Sequence, residues 1–434
     1  MKARFFELAD RLAGRLRPGE TLLCNLSAER SDFVRFNQAR VRQAGSVEQG
    51  YLALRLVRER RQASATTSVL DVSGVEALLG SLRGALEGLP EDPWLLVNEA
   101  PRSTTSERRG AVPSPESVVE EVVEAAEGRD LVGIYAGGTI HRGFANSLGQ
   151  KNWHEVDSFN FDWSLYRRGD QAVKASYAGF EWDPSAFSAK LESAAQALQA
   201  FAHPVKTIQP GEYRAYLAPR ALEELVGMLC WGGFSARARE TKQSPLLRMQ
   251  SGERFSPSLQ LLENTADGVA PGFQSDGFVK PPKVTLIADG RLGDALVSPR
   301  SAKEYGLATN AANGGESPES PDMAAGDLPQ ADVLQALGEG LYISNLWYLN
   351  YSDRPAGRIT GMTRFATFWV EGGRIAAPVS PLRFDDSVYR ILGTNLLGLT
   401  RERERLLDAS TYGERSTSSA RLPGALLSGL RFTL

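Results

Sequence analysis

The chain has 434 residues, 42% of them hydrophobic and 23% charged, a balance that suits a soluble protein with two or three buried cores. Its 49 basic residues against 52 acidic ones leave a net charge of −3, which gives no basic footprint for capture of nucleic acid. No run of roughly 18 apolar residues is present to span a membrane. The two cysteines, Cys24 and Cys230, are too few for a secreted disulfide framework, so a cytoplasmic location is expected.

The first 20 residues carry charges at helical spacing without a continuous apolar stretch, which predicts a surface helix rather than a signal peptide. Residues 21–27 read as a strand and Ala28, Glu29 and Arg30 as a turn. Residues 33–36 lead into a tight turn at Asn37 and Gln38. Leu52, Leu54 and Leu56 alternate with Tyr51, Ala53 and Arg55, the period of two of a strand. A meander of three or four strands is expected, with residues 58–61 as a solvated hairpin tip. Asp71 offers an N-cap to a helix over 75–89, and residues 90–113, rich in Pro, Ser, Thr and Arg, read as a linker. A helix from 114 to about 126 has a proline near its start and acids in its first turn. Residues 131–136 predict a buried strand, Gly137 and Gly138 a turn, and 139–163 a further hairpin series. A long amphipathic helix over 183–202 stops before Pro204.

In the second half, residues 212–217 predict a strand, and Pro219 opens a helix running to about Trp231. A strand and turn at 283–290 precede a short helix at 300–307. Residues 308–330 carry almost nothing apolar, so a mobile loop is expected there. A short helix over 332–337 delivers the chain to the densest stretch, 340–374. There Leu341, Ile343, Leu346 and Trp347 form one apolar run and residues 365–370 another, around a turn-rich segment. The pattern predicts two strands joined by an irregular loop. Leu426, Leu427 and Leu430 mark a final strand.

Common catalytic signatures are missing. There is no G-x-S-x-G elbow and no phosphate-binding glycine motif. The three histidines, His141, His154 and His203, read as structural or exposed rather than as ligands. Ser158 stands where a second histidine would follow His154 and Glu155. Asp385 and Asp386 are adjacent in an extended segment, so they point to opposite faces. Cys230 reads as a small buried hydrophobe. Groups that bind are concentrated at Tyr342, Asn345, Trp347, Tyr348, Tyr351, Arg364 and Trp369. Three alternatives stay open for them: filling the core between two strands, pairing a strand edge with an extended peptide, or forming a subunit interface.

Several stretches carry a resemblance: residues 20–70, the segment 130–150 with its Gly-Phe-Ala-Asn-Ser-Leu-Gly turn, and residues 205–380. In the last, Gly-Leu-Tyr-Ile-x-Asn-Leu from Gly340 is followed by Phe-Trp-Val-Glu-x-Gly-x-Ile from Phe368. Together they resemble the TldD/PmbA family, once described as modulators of DNA gyrase, which holds zinc-dependent peptidases and metal-free partner subunits. The resemblance implies an α+β fold. An N-terminal domain over 1–205, with a central segment at about 114–205, would hold an antiparallel sheet and helices. A C-terminal domain over 206–434 would be antiparallel and β-rich, with packed helices.

Catalytic members carry HExxxH on a helix, where two imidazoles hold zinc and the glutamate is the general base. Aligned on Leu225-Val226-Gly227, Glu223 replaces the first histidine, Glu224 keeps the glutamate and Met228 replaces the second histidine. No catalytic residue and no metal site is therefore expected in this chain, and a carboxylate-only site would favour harder metals than zinc. The resemblance implies a non-catalytic, PmbA/TldE-like subunit that pairs with a TldD-like zinc peptidase, or with itself. It would complete the chamber and bind unfolded peptides for cleavage or precursor processing. Tyr342, Asn345, Trp347, Tyr348, Arg364 and Trp369 are the expected peptide contacts. The loop 351–358 departs from the family's usual Gly-Asp-Tyr-Ser-Arg-Gly. Two other readings remain: a peptidase active alone through Glu223, Glu224 and a further ligand, and a homodimeric peptide-binding module without a protease partner.

Overall fold

Alternating apolar residues in the first half build long strands, and the computed structural model, which describes residues 1–433, is α+β. Among the described residues the first sheet contains β1 (Thr21–Asn37), β2 (Arg40–Arg58), β3 (Arg61–Thr67), β4 (Thr104–Arg108), β5 (Asp130–Asn146), β6 (Lys151–Arg168) and β7 (Gln171–Gly179). Their order is β3-β2-β1-β5-β6-β4, with β7 also paired to β6. Helices α1 (Lys2–Ala13) and α2 (Val72–Glu87) cover the leucines of β1 and β2. Phe5, Leu8 and Leu12 with Val75, Leu79 and Leu82 bury Leu22, Leu26, Leu52, Leu54 and Leu56. Helices α3 (Pro115–Ala125) and α4 (Pro184–Gln199) cover the aromatic part of the sheet, at Phe36, Tyr135, Phe159, Phe161 and Trp163. All but α1 of these helices start where a side chain accepts from the first turn: Asp71 from Gly74 N, Ser114 from Ser117 N, and Asp183 from Ser185 N.

The second sheet is built from β8 (Gly211–Leu217), β9 (Leu261–Glu263), β10 (Val284–Ala288), β11 (Arg291–Leu292), β12 (Pro321–Met323), β13 (Gly340–Asp353), β14 (Arg358–Glu371), β15 (Arg374–Pro378), β16 (Arg383–Ser387), β17 (Leu396–Leu407) and β18 (Ser419–Phe432). The order β8-β13-β14-β16-β18 returns to β8, because β18 also pairs with β8, so five strands close a ring. Helix α5 (Pro219–Cys230) packs against β13 and β18. Its Leu222, Leu225, Val226 and Leu229 share one core with Leu341 and Ile343 of β13, Phe384 of β16, and Leu427 and Phe432 of β18. Ala366 and Phe368 of β14 instead enter the core under α3 and α4, which joins the two halves. No described helix is long and apolar enough to cross a membrane.

Several local expectations are corrected. The first sheet is antiparallel as expected, with only the short edge strand β4 running parallel to β6; the second is mixed rather than antiparallel, because β13 runs parallel to β8 and β12 to β18. The expected turn at Ala28–Arg30 is continuous strand: Glu29 is buried but receives Ser31 Oγ and Gln49 Nε2, both at 2.7 Å. Gly137 and Gly138 also lie within β5. Gly138, at φ +138°, lets the Arg30 carbonyl approach where a Cβ would stand. The presumed linker at 90–113 contains β4. Residues 308–330 are fastened rather than loose. Glu316 accepts from Ser235 Oγ, Arg237 N, Ser298 N and Ser298 Oγ. Asp322 accepts from Arg403 and Arg421. Polar anchoring there replaces the apolar burial that composition looks for.

Candidate functional site

The start of α5, a kinked part of the β13–β14 pair and the outer strands of the first sheet meet at a cleft of about 180 Å³. Ala218 N donates to Ile343 O at 3.0 Å, which ties the helix start to β13. Pro219 occupies the first turn and no side chain caps it, so the positive end of the helix dipole is left at the cleft. On β13 and β14 the register slips between Ile343 and Asn345, and again between Trp347 and Asn350. At the two slips Phe365 and Tyr348 take φ of +55° and +58°, a left-handed conformation that is costly for aromatic residues. These bulges change which residues face the cleft.

The charged side chains at the cleft are Asp162 from β6, Lys174 from β7, Lys190 from α4, Arg220 from α5 and Glu404 from β17, and Asn345 from β13 joins them. Lys174 Nζ lies 2.9 Å from Asp162 Oδ2, Lys190 Nζ 3.0 Å from Glu404 Oε2, and Arg220 pairs with Glu223. Burial pushes the Glu223 carboxyl above the usual range, and the Arg220 charge offsets only part of that. Loss of solvent on its inner side, then repulsion from Glu223, also raises Glu224, although its outer edge is exposed.

The residues expected from sequence separate into three groups. Tyr342 and Asn345 line the cleft; burial raises the Tyr342 phenol to about 12. Trp347, Tyr348 and Arg364 lie outside it and make an exposed cluster, with Trp347 50% and Tyr348 78% accessible. The Arg364 guanidinium sits 4.4 Å from the Trp347 ring centroid. Trp369 is a correction: it lies opposite Leu341 on the face that fills the ring core, and its ring stacks edge-on with Tyr213, so it is packing rather than contact surface. Met228 is likewise buried in that core. Asp162, Lys174, Lys190, Arg220 and Glu404 were missed. They come from five elements, and no local pattern relates them.

The α5 residues do not fit a zinc ion. Glu223 is committed to Arg220, whose positive charge also acts on Glu224, and Met228 is turned into apolar packing. Among the described residues no three His, Cys, Asp or Glu side chains converge in a metal-binding arrangement. The histidines serve elsewhere. His154 is buried with Nε2 3.0 Å from Val269 O, and His141 Nδ1 lies 3.2 Å from Glu155. Cys24 and Cys230 are free, buried thiols.

Residues 210–434 match the profile of the PmbA/TldA metallopeptidase C-terminal domain. Solved structures of similar fold include TldE from Thermococcus kodakarensis, with TM-score 0.81 and 14% identity over 99% of this chain and 100% of that one. A candidate modulator of a DNA gyrase from Thermotoga maritima gives 0.79 and 16% over 99% and 100%. A second such candidate, from Bacteroides thetaiotaomicron, gives 0.79 and 16% over 100% and 98%. At these identities the likeness is one of fold. No curated protein is significantly similar in sequence.

Proposed function

Because this chain belongs to the PmbA/TldD metallopeptidase family, we propose that it is the non-catalytic, TldE-like subunit of a cytoplasmic peptidase complex. In this reading a TldD-like partner supplies zinc and cuts the peptide bond, while this chain completes the chamber and holds unfolded peptide. What carries the reading is α5: at the place of the family's zinc motif stand a glutamate paired to Arg220 and a methionine packed in the core. The exposed Trp347, Tyr348 and Arg364 supply contact area for peptide or partner.

The test is the zinc content of the purified chain, together with cleavage of an unfolded peptide with and without a co-expressed TldD-like subunit. The proposal expects a metal-free chain, inert alone and required for full cleavage by the pair. About one zinc per chain with activity in isolation would overturn it in favour of a self-sufficient peptidase. Metal-free, inert chains that leave the partner's cleavage rate unchanged would favour a separate peptide-binding module.

A further inference from the structure

A larger cavity lies away from the α5 start, where β4 and β6 face the segments 265–282 and 309–311 of the second half. Its volume is about 750 Å³, within the roughly 300–1,000 Å³ that small-molecule sites occupy. Arg102, Arg108 and Lys280 line it, and among the described residues no aspartate or glutamate does. The strand period accounts for this. Thr104, Ser106 and Arg108 alternate onto one face of β4, whereas Glu107 turns to the other face and pairs with Lys2. Lys280 is answered by Glu319, which stands outside the cavity. Arg108 lies over the Phe180 ring and donates to Ala266 O at 2.8 Å and to Gly268 O at 3.2 Å. Carbonyl dipoles, rather than a carboxylate, thus hold its charge. Arg102 is exposed. Burial is the main cause of the low pKa of His154 in the same wall, and the charges that add to it, from Arg142, Arg108 and Lys280, are all positive.

The opposite wall is apolar and already built. Phe278, Val279 and Pro281 face the cavity. Their segment is fixed by Gln274 N donating to Phe278 O at 3.1 Å, Ala266 N to Pro282 O at 3.1 Å and Asn98 Nδ2 to Gly277 O at 2.9 Å. A ligand matched to these walls has an apolar body and a negative head. We propose that the cavity binds a small amphipathic carboxylate, its apolar body against Phe278, Val279 and Pro281 and its carboxylate toward Arg102 and Arg108. A guanidinium receives a carboxylate through charge-assisted hydrogen bonds. A single charge also costs less to bring out of water into a largely apolar space than a phosphate would. The cavity shares no residue with the cleft at the α5 start, so the proposal stands apart from the peptide-holding reading. A bound molecule would touch both halves of the chain and stabilise their contact.

The experiment titrates the full chain calorimetrically with 2-naphthoate and with octanoate, each beside its neutral amide. At least one acid should saturate a single site per chain, and its amide should bind about tenfold more weakly. The tighter acid shows whether the body is aromatic or aliphatic. Arg102→Ala should weaken the acid about tenfold and leave the amide unchanged, a split that a general loss of structure would not produce. Acid and amide of equal affinity would overturn the proposal, because the head group would then go unrecognised. So would an Arg102→Ala chain that binds the acid as the parent does, which would place the site elsewhere. If neither acid binds, the proposal falls: saturation by inorganic phosphate would then mark a bare anion site, and saturation by acetyl-Ala-Ala-Phe would assign the cavity to polypeptide ends. The comparison of acid with amide uses the unaltered protein and decides the matter even if Arg102→Ala does not fold.

Discussion

Glu316 accepts four hydrogen bonds within its own half of the chain, whereas Asp162 at the cleft leaves one carboxylate oxygen with none. Burial alone would raise the Glu316 pKa, but the surrounding donors outweigh it and hold the group below the usual carboxylate range. On α5 beside the cleft the balance is reversed: burial raises Glu223 and Glu224, repulsion from Glu223 adds to the latter, and the Arg220 charge offsets only part of this. The contrast separates buried carboxylates that are saturated with donors from buried carboxylates that are not. Saturation, more than burial, marks the difference.

Three measurements bear on this contrast. Glu316→Ala strips the acceptor from four donors, three of them buried, and should cost about 4 kcal/mol of stability, read from the urea midpoint. A loss below about 1 kcal/mol would mean that saturation does not identify a fastener. His154 is an intermediate case, with Nε2 bonded to Val269 and Nδ1 without a partner. Burial depresses its pKa to about 4 from 6.5. The fold therefore favours the neutral ring, and its contribution is complete above about pH 6.5 and drains as pH falls toward 4, about 3 kcal/mol in all. Melting curves of His154→Gln across that window should be flatter than those of the parent; parallel curves would remove His154 as the source of acid sensitivity. The smallest effect is expected at Tyr348, which is exposed and left-handed. Tyr348→Gly should relieve strain and raise stability by about 1 kcal/mol. A fall in melting temperature would show that its contact with Trp347 outweighs the strain.

What was legible in the sequence was local. The alternating leucines at 52–56, the Asp71 and Ser114 caps and the proline-led start of α5 each need only neighbours a few residues away. Glu29 was misread because its polarity suggests a turn, while its partners stand on β2 and on the 413–415 loop. Residues 308–330 were misread because a segment can be held by buried carboxylates as firmly as by leucines. Trp347 and Trp369 look equivalent in composition, but the bulges between them reset which face each presents, and a period of two cannot register an inserted residue. The α5 departures at Glu223 and Met228 were readable in the sequence; the cleft they adjoin was not, because Asp162 and Lys174 reach it only through the tertiary fold.

The closure of β18 on β8 has a consequence in time. Those strands lie about 200 residues apart in sequence, yet they are hydrogen-bonded neighbours, with Ala425 opposite Leu217 and Phe432 opposite Gly211. During synthesis the ring must therefore wait open until residue 432 has left the ribosome, with α5 and the apolar face of β13 exposed meanwhile. A nascent chain stalled anywhere before Ser419 would offer that face to chaperones or to other chains. Pairing of β18 with β8 is what ends the exposure.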